Sequence, residues 1–320
     1  MRCVLVGNYG VANLGDEALR DYFLHTFTTI EWVVVSAHPY NPNEVPRLPG
    51  GLRSLFTTNW WKTVKVIRSS DALVFGGGSL FTDVESVYAC FLWSVHAWTA
   101  IFLGKPVHLA FQGMGPYKTR VGEWLARSVA RKAASISVRD EASVHRLEAW
   151  GLSTKVVQTF DPVFSFMVSQ KKDHITKNVF IVIPRHNSGE LLKKQMLQML
   201  AETSNIEDVH IVLMQPDDAA EQATADALHS ALPVPATIVP VRTMEELMEE
   251  VSGVTCVLTQ RFHGALAALA AGSTVSIVTQ GEGDKLSQLL PFARGEQSVG
   301  GLIERVNKGE ECLAQALHIW

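Results

Sequence analysis

Residues Cys3 to Leu19 read CVLVGNYGVANLGDEAL. Cys3–Val6 is a short apolar strand, Gly7–Asn13 is a glycine-bearing turn, and a helix opens near Gly15. Glycine lets a chain turn tightly and lets backbone approach a ligand closely. The helix N-terminus that follows favours anions. The run is not the dinucleotide fingerprint G-x-G-x-x-G, and no Gly-Lys-Ser/Thr follows to make a phosphate loop. Asn13 and Asp16 fit two roles, a cap for the helix or contacts to a ligand at the strand end. The ligand reading enrols Asn13, Gly15 and Asp16.

The same unit recurs along the chain. Asp71–Phe75 runs into Gly76-Gly77-Gly78, and Lys105–Gln112 runs into Gly113-Met114-Gly115-Pro116. The strand Ser135–Val138 follows a helix over Val121–Ala134. The pattern restarts at Asn178–Ile183 and continues through His210–Met214, Ala236–Val239, Thr255–Thr259 and Thr274–Val278, with helices between. Alternating strands and helices imply parallel sheets with right-handed crossovers. The expected fold is α/β, two Rossmann-like doubly wound domains facing a cleft. Residues 1–167 form the N-terminal domain. Residues 168–177, which include Lys171, Lys172 and Asp173, form a polar linker. Residues 178–320 form the C-terminal domain, closed by two terminal helical segments.

In open α/β sheets ligands bind outside the carboxyl ends of the strands, and four segments stand there. The first is the opening turn. The second is Gly76-Gly77-Gly78-Ser79 with Asp83 and Glu85 beyond it, where Gly77 and Gly78 offer backbone N–H groups or simply let a crossover pack closely. The third is Ser137-Val138-Arg139-Asp140-Glu141-Ala142-Ser143. Arg139 closes a strand beside a capping Asp140, as a surface ion pair or as a group aimed into the cleft at an acidic substrate. The fourth is Thr259-Gln260-Arg261-Phe262-His263-Gly264, ahead of a very apolar helix. Residues two apart in extended chain project to one side, so Arg261 and His263 face one ligand and Phe262 turns into the core. An arginine near a core needs an acidic partner. Arg185, Lys285, Gln215, Asp217 and Asp218 are weaker strand-end candidates, with loop solvation or capping as the ordinary reading.

Composition narrows the class. Of 320 residues, 47% are hydrophobic and 19% charged, enough apolar material for a core and too little charge for a disordered chain. A formal net charge of −4 supplies no global basic field, so no nucleic-acid partner is expected. The cysteines Cys3, Cys90, Cys256 and Cys312 form no C-x-x-C pair, which fits a reducing, cytoplasmic setting. No signal peptide is expected. The uncharged stretches Ser86–Gly104 and Phe262–Gly281 carry too many polar groups for hydrocarbon and are read as buried elements. No D-x-D pair, H-E-x-x-H or G-x-S-x-G occurs, so no catalytic metal and no ordinary serine hydrolase is expected.

Taken in order, the segments Gly7-Asn8-Tyr9-Gly10 to Glu17, Gly76-Gly77-Gly78, Gln112 to Pro116, Val138 to Ser143, Asp161-Pro162-Val163-Phe164 and Arg261-Phe262-His263-Gly264 resemble the polysaccharide pyruvyl transferase family. The resemblance spans nearly the whole chain. It implies a GT-B-like pair of Rossmann-type domains and transfer of a pyruvyl group from phosphoenolpyruvate to a sugar, usually as a cyclic ketal. The family's donor-binding arginine maps onto Arg139, and its Arg-Leu-His segment onto Arg261-Phe262-His263, with phenylalanine in place of leucine. Near the end this chain reads Gly281-Glu282-Gly283-Asp284-Lys285 where the family often has a Tyr-Asp-Pro-Lys-like run, and Lys285 is the residue that corresponds.

Phosphoenolpyruvate suits such a site because planar guanidiniums match both carboxylate and phosphate. Arg139 from one domain and Arg261 from the other are expected to clamp it, with Arg185 and Lys285 assisting. His263 is the candidate general acid for the methylene carbon, a nearby phosphate favouring its charged form, and Asp16 the candidate hydroxyl base. No cofactor is expected beyond this donor substrate. Two other functions stay open: a GT-B glycosyltransferase using a nucleotide sugar, and a non-catalytic saccharide- or partner-binding protein. The expected acceptor is a cell-envelope saccharide, with a lipid-linked form among the options. Trp60-Trp61 with Lys62, Lys65 and Arg68 offers a peripheral contact to the inner face of a membrane, against the plainer reading of a helix with a solvated face. The oligomeric state is left open.

Overall fold

A computed structural model describes residues 1–51, 55–56, 59–84, 86–152, 156–171, 177–281 and 284–319. The chain folds into two compact units, Met1–Pro162 with Leu302–Trp320, and Val163–Gly301. Glu85, 172–176, Glu282 and Gly283, which figured in the expectations above, lie outside the described residues.

In the first unit the chain runs through β1 (Arg2–Tyr9), α1 (Leu14–Thr26), β2 (Glu31–Ser36), β3 (Glu44–Pro46), α2 (Trp61–Ser69), β4 (Ala72–Phe81) and α3 (Val87–Phe102). It continues through β5 (Val107–Met114), α4 (Arg120–Lys132), β6 (Ser135–Val138), α5 (Glu141–Ala149) and β7 (Val156–Gln158). The seven strands are parallel, in the order β3-β2-β1-β4-β5-β6-β7. β4 and β5 are buried almost along their whole lengths, which is why they read as continuous apolar runs rather than alternating ones. The direction of chain progression reverses between β1 and β4. That junction is the topological switch point, the place where ligands bind in open α/β sheets.

The second unit begins with α6 (Val163–Ser169) and continues through β8 (Lys177–Ile183), α7 (Glu190–Glu202), β9 (Asp208–Leu213), α8 (Ala219–Ser230), β10 (Ala236–Pro240) and α9 (Met244–Val251). Then come β11 (Val254–Thr259), α10 (Phe262–Ala271), β12 (Val275–Ile277), a 3-10 turn over Lys285–Leu289 and α11 (Leu290–Ala293). Its five parallel strands are ordered β10-β9-β8-β11-β12, with the switch point between β8 and β11. The last helix, α12 (Gly300–Leu317), lies almost entirely in the first unit.

Three boundaries differ from expectation. The expected end of the N-terminal domain at 167 and start of the linker at 168 fall inside a helix, since α6 (Val163–Ser169) already belongs to the second unit and packs on α10 with Met167 buried. The terminal helix, expected in the C-terminal domain 178–320, returns to the first unit. There Gly309 sits against Phe111 and Thr159, and the Tyr22 hydroxyl donates to Glu310. Gly76-Gly77-Gly78 is not a turn after a strand but part of β4 itself. Among the described residues no helix is long and apolar enough to cross a membrane. Ser86–Gly104 contains α3, and Phe262–Gly281 contains α10 and β12.

Candidate functional site

At the switch point of the first unit, the opening turn carries a polar chain anchored on α1. Asn13 is the helix cap, its side chain accepting from the Gly15 and Asp16 amides (3.1 and 3.4 Å). Asn13 and Gly15 are thereby engaged with each other, as the capping reading requires. Asp16 is the residue of this group whose side chain reaches onward. Its Oδ2 accepts from Asn8 Nδ2 at 2.9 Å. The other face of the Asn8 amide accepts from Arg47 Nη2 at 3.0 Å, and Arg47 lies over the Trp93 ring, 5.0 Å from its centroid. Burial pushes Arg47 below the usual guanidinium value, while Asp16 and Glu17 act to keep it charged. Gly78 has φ +85°, and a Cβ there would lie 3.9 Å from Asp16 Oδ1. Gly77 has φ +83° and packs under Leu19, where a Cβ would come within 2.7 Å, so its glycine is required by the crossover. Arg47 was not found in the sequence because it stands in an irregular segment after β3, and only tertiary contact brings it to Asn8.

Arg139, at the end of β6, differs from the surface-pair reading offered for it. Asp140 caps α5 by accepting from the Ser143 amide at 2.7 Å and is not the arginine's partner. Arg139 instead forms a buried ion pair with Asp161 and donates to Ser79 Oγ at 3.0 Å. Its side chain is 3% exposed. In this position it ties the ends of β4 and β6 to the segment after β7, with its charge matched by Asp161.

The second unit gathers more of the candidates. β11 ends at Thr259, and Thr259 Oγ1 accepts from the Arg261 amide at 2.9 Å as the chain turns into α10. The chain is already helical from Phe262, so the extended alternation expected over Arg261-Phe262-His263 does not apply. All three side chains are half-buried, and Phe262 lies edge-on to His263 rather than in the core. Gly264 is required by the tight turn, since a Cβ would meet Ile183 and Thr259 at 2.9 Å.

Arg261 donates to Pro184 O (3.2 Å) and Gln215 Oε1 (3.1 Å) and is ion-paired with Glu221. Glu221 is fully buried, and its other oxygen accepts from the Met214 and Gln215 amides (2.8 and 3.0 Å). A charge in a partly closed site is held by such a carboxylate, and the geometry fixes where the guanidinium points. Arg261 is pushed down to about 10, first by burial and then by repulsion from Arg185, with Asp218 acting the other way. Arg185 itself donates to Gln280 Oε1 at 3.3 Å, and its amide donates to Ser188 Oγ at 2.8 Å. Arg261, bonded to the carbonyl of the residue before Arg185, thus stands at the N-terminus of a ten-residue helix, whose orphan N–H groups and dipole add positive potential. Lys285 is exposed and opens the 3-10 turn that packs on α10. Asp217 pairs with Arg242 on the surface, and Asp218 caps α8. Glu221 carried no signal in the sequence. It reads there as an ordinary acidic residue in the first turn of a helix.

Both units are thus Rossmann-like, and the fold is of the GT-B class. A UDP-N-acetylglucosamine 2-epimerase from Rickettsia bellii superimposes with a TM-score of 0.60 at 13% identity, covering 100% of this chain and 96% of that one. The UDP-GlcNAc 2-epimerase from Neisseria meningitidis bound to UDP-GlcNAc gives 0.57 at 13% identity, covering 97% and 94%. Anabaena HepE in complex with UDP and glucose gives 0.57 at 12% identity, covering 99% and 95%. At such identities the likeness is one of fold. No curated protein sequence matches the chain. The family is shown by sequence: the polysaccharide pyruvyl transferase model matches residues 13–273, and the chain belongs to that family.

Proposed function

We propose that the protein transfers the pyruvyl group of phosphoenolpyruvate to two hydroxyls of a cell-envelope saccharide, forming a ketal and releasing phosphate. The observation that carries this reading is Arg261 at the N-cap of α10, bonded to Pro184 O beside Arg185. Glu221 meets the charge of Arg261, so the positive potential on offer to an anion is that of Arg185 and the helix N-terminus. A small molecule bearing both carboxylate and phosphate suits that potential, and planar guanidiniums bind either group in a forked geometry. Donor binding is assigned to this second-unit site, with His263 on the first turn of the helix and Lys285 assisting. Arg139, buried against Asp161, is assigned a positioning role.

The chemistry follows from the enol ester. His263 gives a proton to the methylene carbon as a saccharide hydroxyl bonds to the adjacent carbon. Asp16 is assigned the proton of that hydroxyl. Phosphate leaves with the electron pair of its C–O bond. The second hydroxyl then closes the ketal, its proton ending on phosphate. On the first unit, a surface groove at the ends of β2 and β3, lined by Tyr40, Asn41, Glu44 and Asn59, offers an aromatic face and amides suited to a sugar.

The test is calorimetric titration with phosphoenolpyruvate beside UDP-sugars, followed by phosphate release with candidate acceptors. Selective binding of phosphoenolpyruvate, about tenfold or more weaker in Arg261→Ala and Arg185→Ala, is the expected result, since each lost charge-assisted bond contributes roughly 1.5–3 kcal/mol. His263→Ala is expected to bind donor and lose turnover. A second reading, a glycosyltransferase taking a nucleotide sugar, is favoured by the UDP ligands of the structural neighbours. Binding of a UDP-sugar in preference to phosphoenolpyruvate would establish that reading instead. Donor binding with no phosphate release under any acceptor would mark a non-catalytic binding protein.

A further inference from the structure

We propose that the α3–α4 face of the first unit docks on the surface of an anionic lipid membrane. α3 is apolar on two sides. One side, with Cys90, Trp93, Ala97 and Ala100, is buried in the core. On the other side Phe91, Val95, Trp98 and Phe102 recur at helical spacing and, with Leu125 of α4, line an open groove. Phe102 is 90% exposed, Trp98 39%, and Trp124 on α4 63%. A soluble monomer rarely leaves so many large apolar side chains together in water, and a patch of this kind marks an interface.

The charges identify the occupant. No charged residue occurs from Ser86 to Gly104. α4 carries four basic residues, Arg120, Arg127, Arg131 and Lys132, of which Arg120, Arg131 and Lys132 are exposed, against one acidic residue, Glu123, in a chain whose net charge is −4. Glu123 is engaged by the Trp150 indole N–H at 3.0 Å. Exposed aromatics beside a basic helix match the boundary between acyl chains and anionic headgroups, where indole rings partition and lysine and arginine meet phosphate. A two-fold contact with a second copy would set this basic face against itself. α2 packs beside α3 and extends the same layer, with Trp61, Lys62, Lys65 and Arg68 exposed. The Trp60–Arg68 edge expected from the sequence is therefore the margin of a larger face centred on α3 and α4. This inference does not rest on the donor chemistry.

The experiment is co-sedimentation of the full chain with vesicles of phosphatidylcholine and phosphatidylglycerol in equal parts, beside vesicles of phosphatidylcholine alone. Binding to the anionic vesicles at low salt, weakened by added salt, is the expected result. Phe102→Asp and the pair Arg131→Glu/Lys132→Glu should each weaken it by about tenfold or more. Because these side chains are exposed, each variant should keep the wild-type melting curve, so loss of binding is separable from unfolding. Absence of binding to anionic vesicles at low salt would overturn the proposal, as would undiminished binding by Phe102→Asp. A concentration-dependent dimer in analytical ultracentrifugation, broken by Phe102→Asp, would assign the face to a second copy and also overturn it.

Discussion

Arg139 and Arg261 each stand at the end of a strand and each faces a fully buried carboxylate, Asp161 or Glu221. The difference between them is access. The Arg139 side chain is 3% exposed and the Arg261 side chain 14%, so the second is the more accessible of the two. The partners make one prediction. In Glu221→Gln the backbone amides of Met214 and Gln215 keep an acceptor, but Arg261 loses its counter-charge. Removing one member of a buried pair costs about 3–5 kcal/mol, to be read as a shift in the urea midpoint at unchanged slope. The orphaned guanidinium should then take an anion more eagerly. Inorganic phosphate is expected to raise the melting temperature of Glu221→Gln more than that of the wild type. Equal shifts would mean that Glu221 does not control the charge at this site. Both arginines are legible in the sequence as strand-end cations; Asp161 is legible only as part of a family motif and Glu221 not at all, and neither is legible as an arginine's partner. Burial of an acidic residue leaves no mark on its own sequence neighbourhood, and both partners are remote in sequence from the arginine they meet.

At the scale of elements, α3 joins the sheet to its surroundings through His96. The ring is fully buried; Nδ1 lies 2.8 Å from Leu92 O as donor, and Nε2 accepts from the Leu48 amide at 2.9 Å. That pattern requires the neutral ring. Burial first, and then Arg47, pulls its pKa down to about 4, although the Leu92 carbonyl acts to raise it. Above pH ~6.5, the unfolded value, both states are neutral and nothing is at stake. As pH falls from there towards 4, only the unfolded chain takes the proton, so stability falls. His108, buried on β5 and also pulled down to about 4 by burial, adds a second proton to the same window. The unfolding free energy is expected to decline over that window, and His96→Met to lessen the slope by about 1.4 kcal/mol per pH unit. An unchanged slope would show that His96 is protonated in the folded state. The elements themselves were largely readable, because strands buried on both faces are short apolar runs and the helices between them begin at Asn, Thr or Asp caps. Glycine misled at Gly76-Gly77-Gly78, where positive φ is accommodated inside a strand rather than ending it. Polarity misleads after Met167, where the sequence reads as the start of a linker and the chain is still in a helix held by α10.

At the scale of the molecule, the chain builds one Rossmann-like unit, builds a second, and returns to the first with α12. No local pattern marks that return, because an amphipathic terminal helix fits either unit equally well until its partner is known. The docking point is specific. A Cβ on Gly309 would lie 2.3 Å from Phe111 Cε1 and 2.6 Å from Thr159 Oγ1, and that hydroxyl donates to Arg305 O at 2.7 Å. The Phe111 ring cannot yield, since it is fully buried and packs edge-on against Tyr22 and Phe23. Its backbone also holds φ +54°, a conformation that a bulky side chain adopts only where packing enforces it. Gly309→Ala therefore overpacks the core and is expected to cost roughly 1–3 kcal/mol. Because each unit has its own core, the loss should fall on one of two unfolding transitions in calorimetry. The first unit's melting temperature should drop by about 2–4 °C per kcal/mol lost, while the second unit's stays in place. A drop in both transitions together would show that α12 couples the units, and a drop in neither would place the helix end away from Phe111.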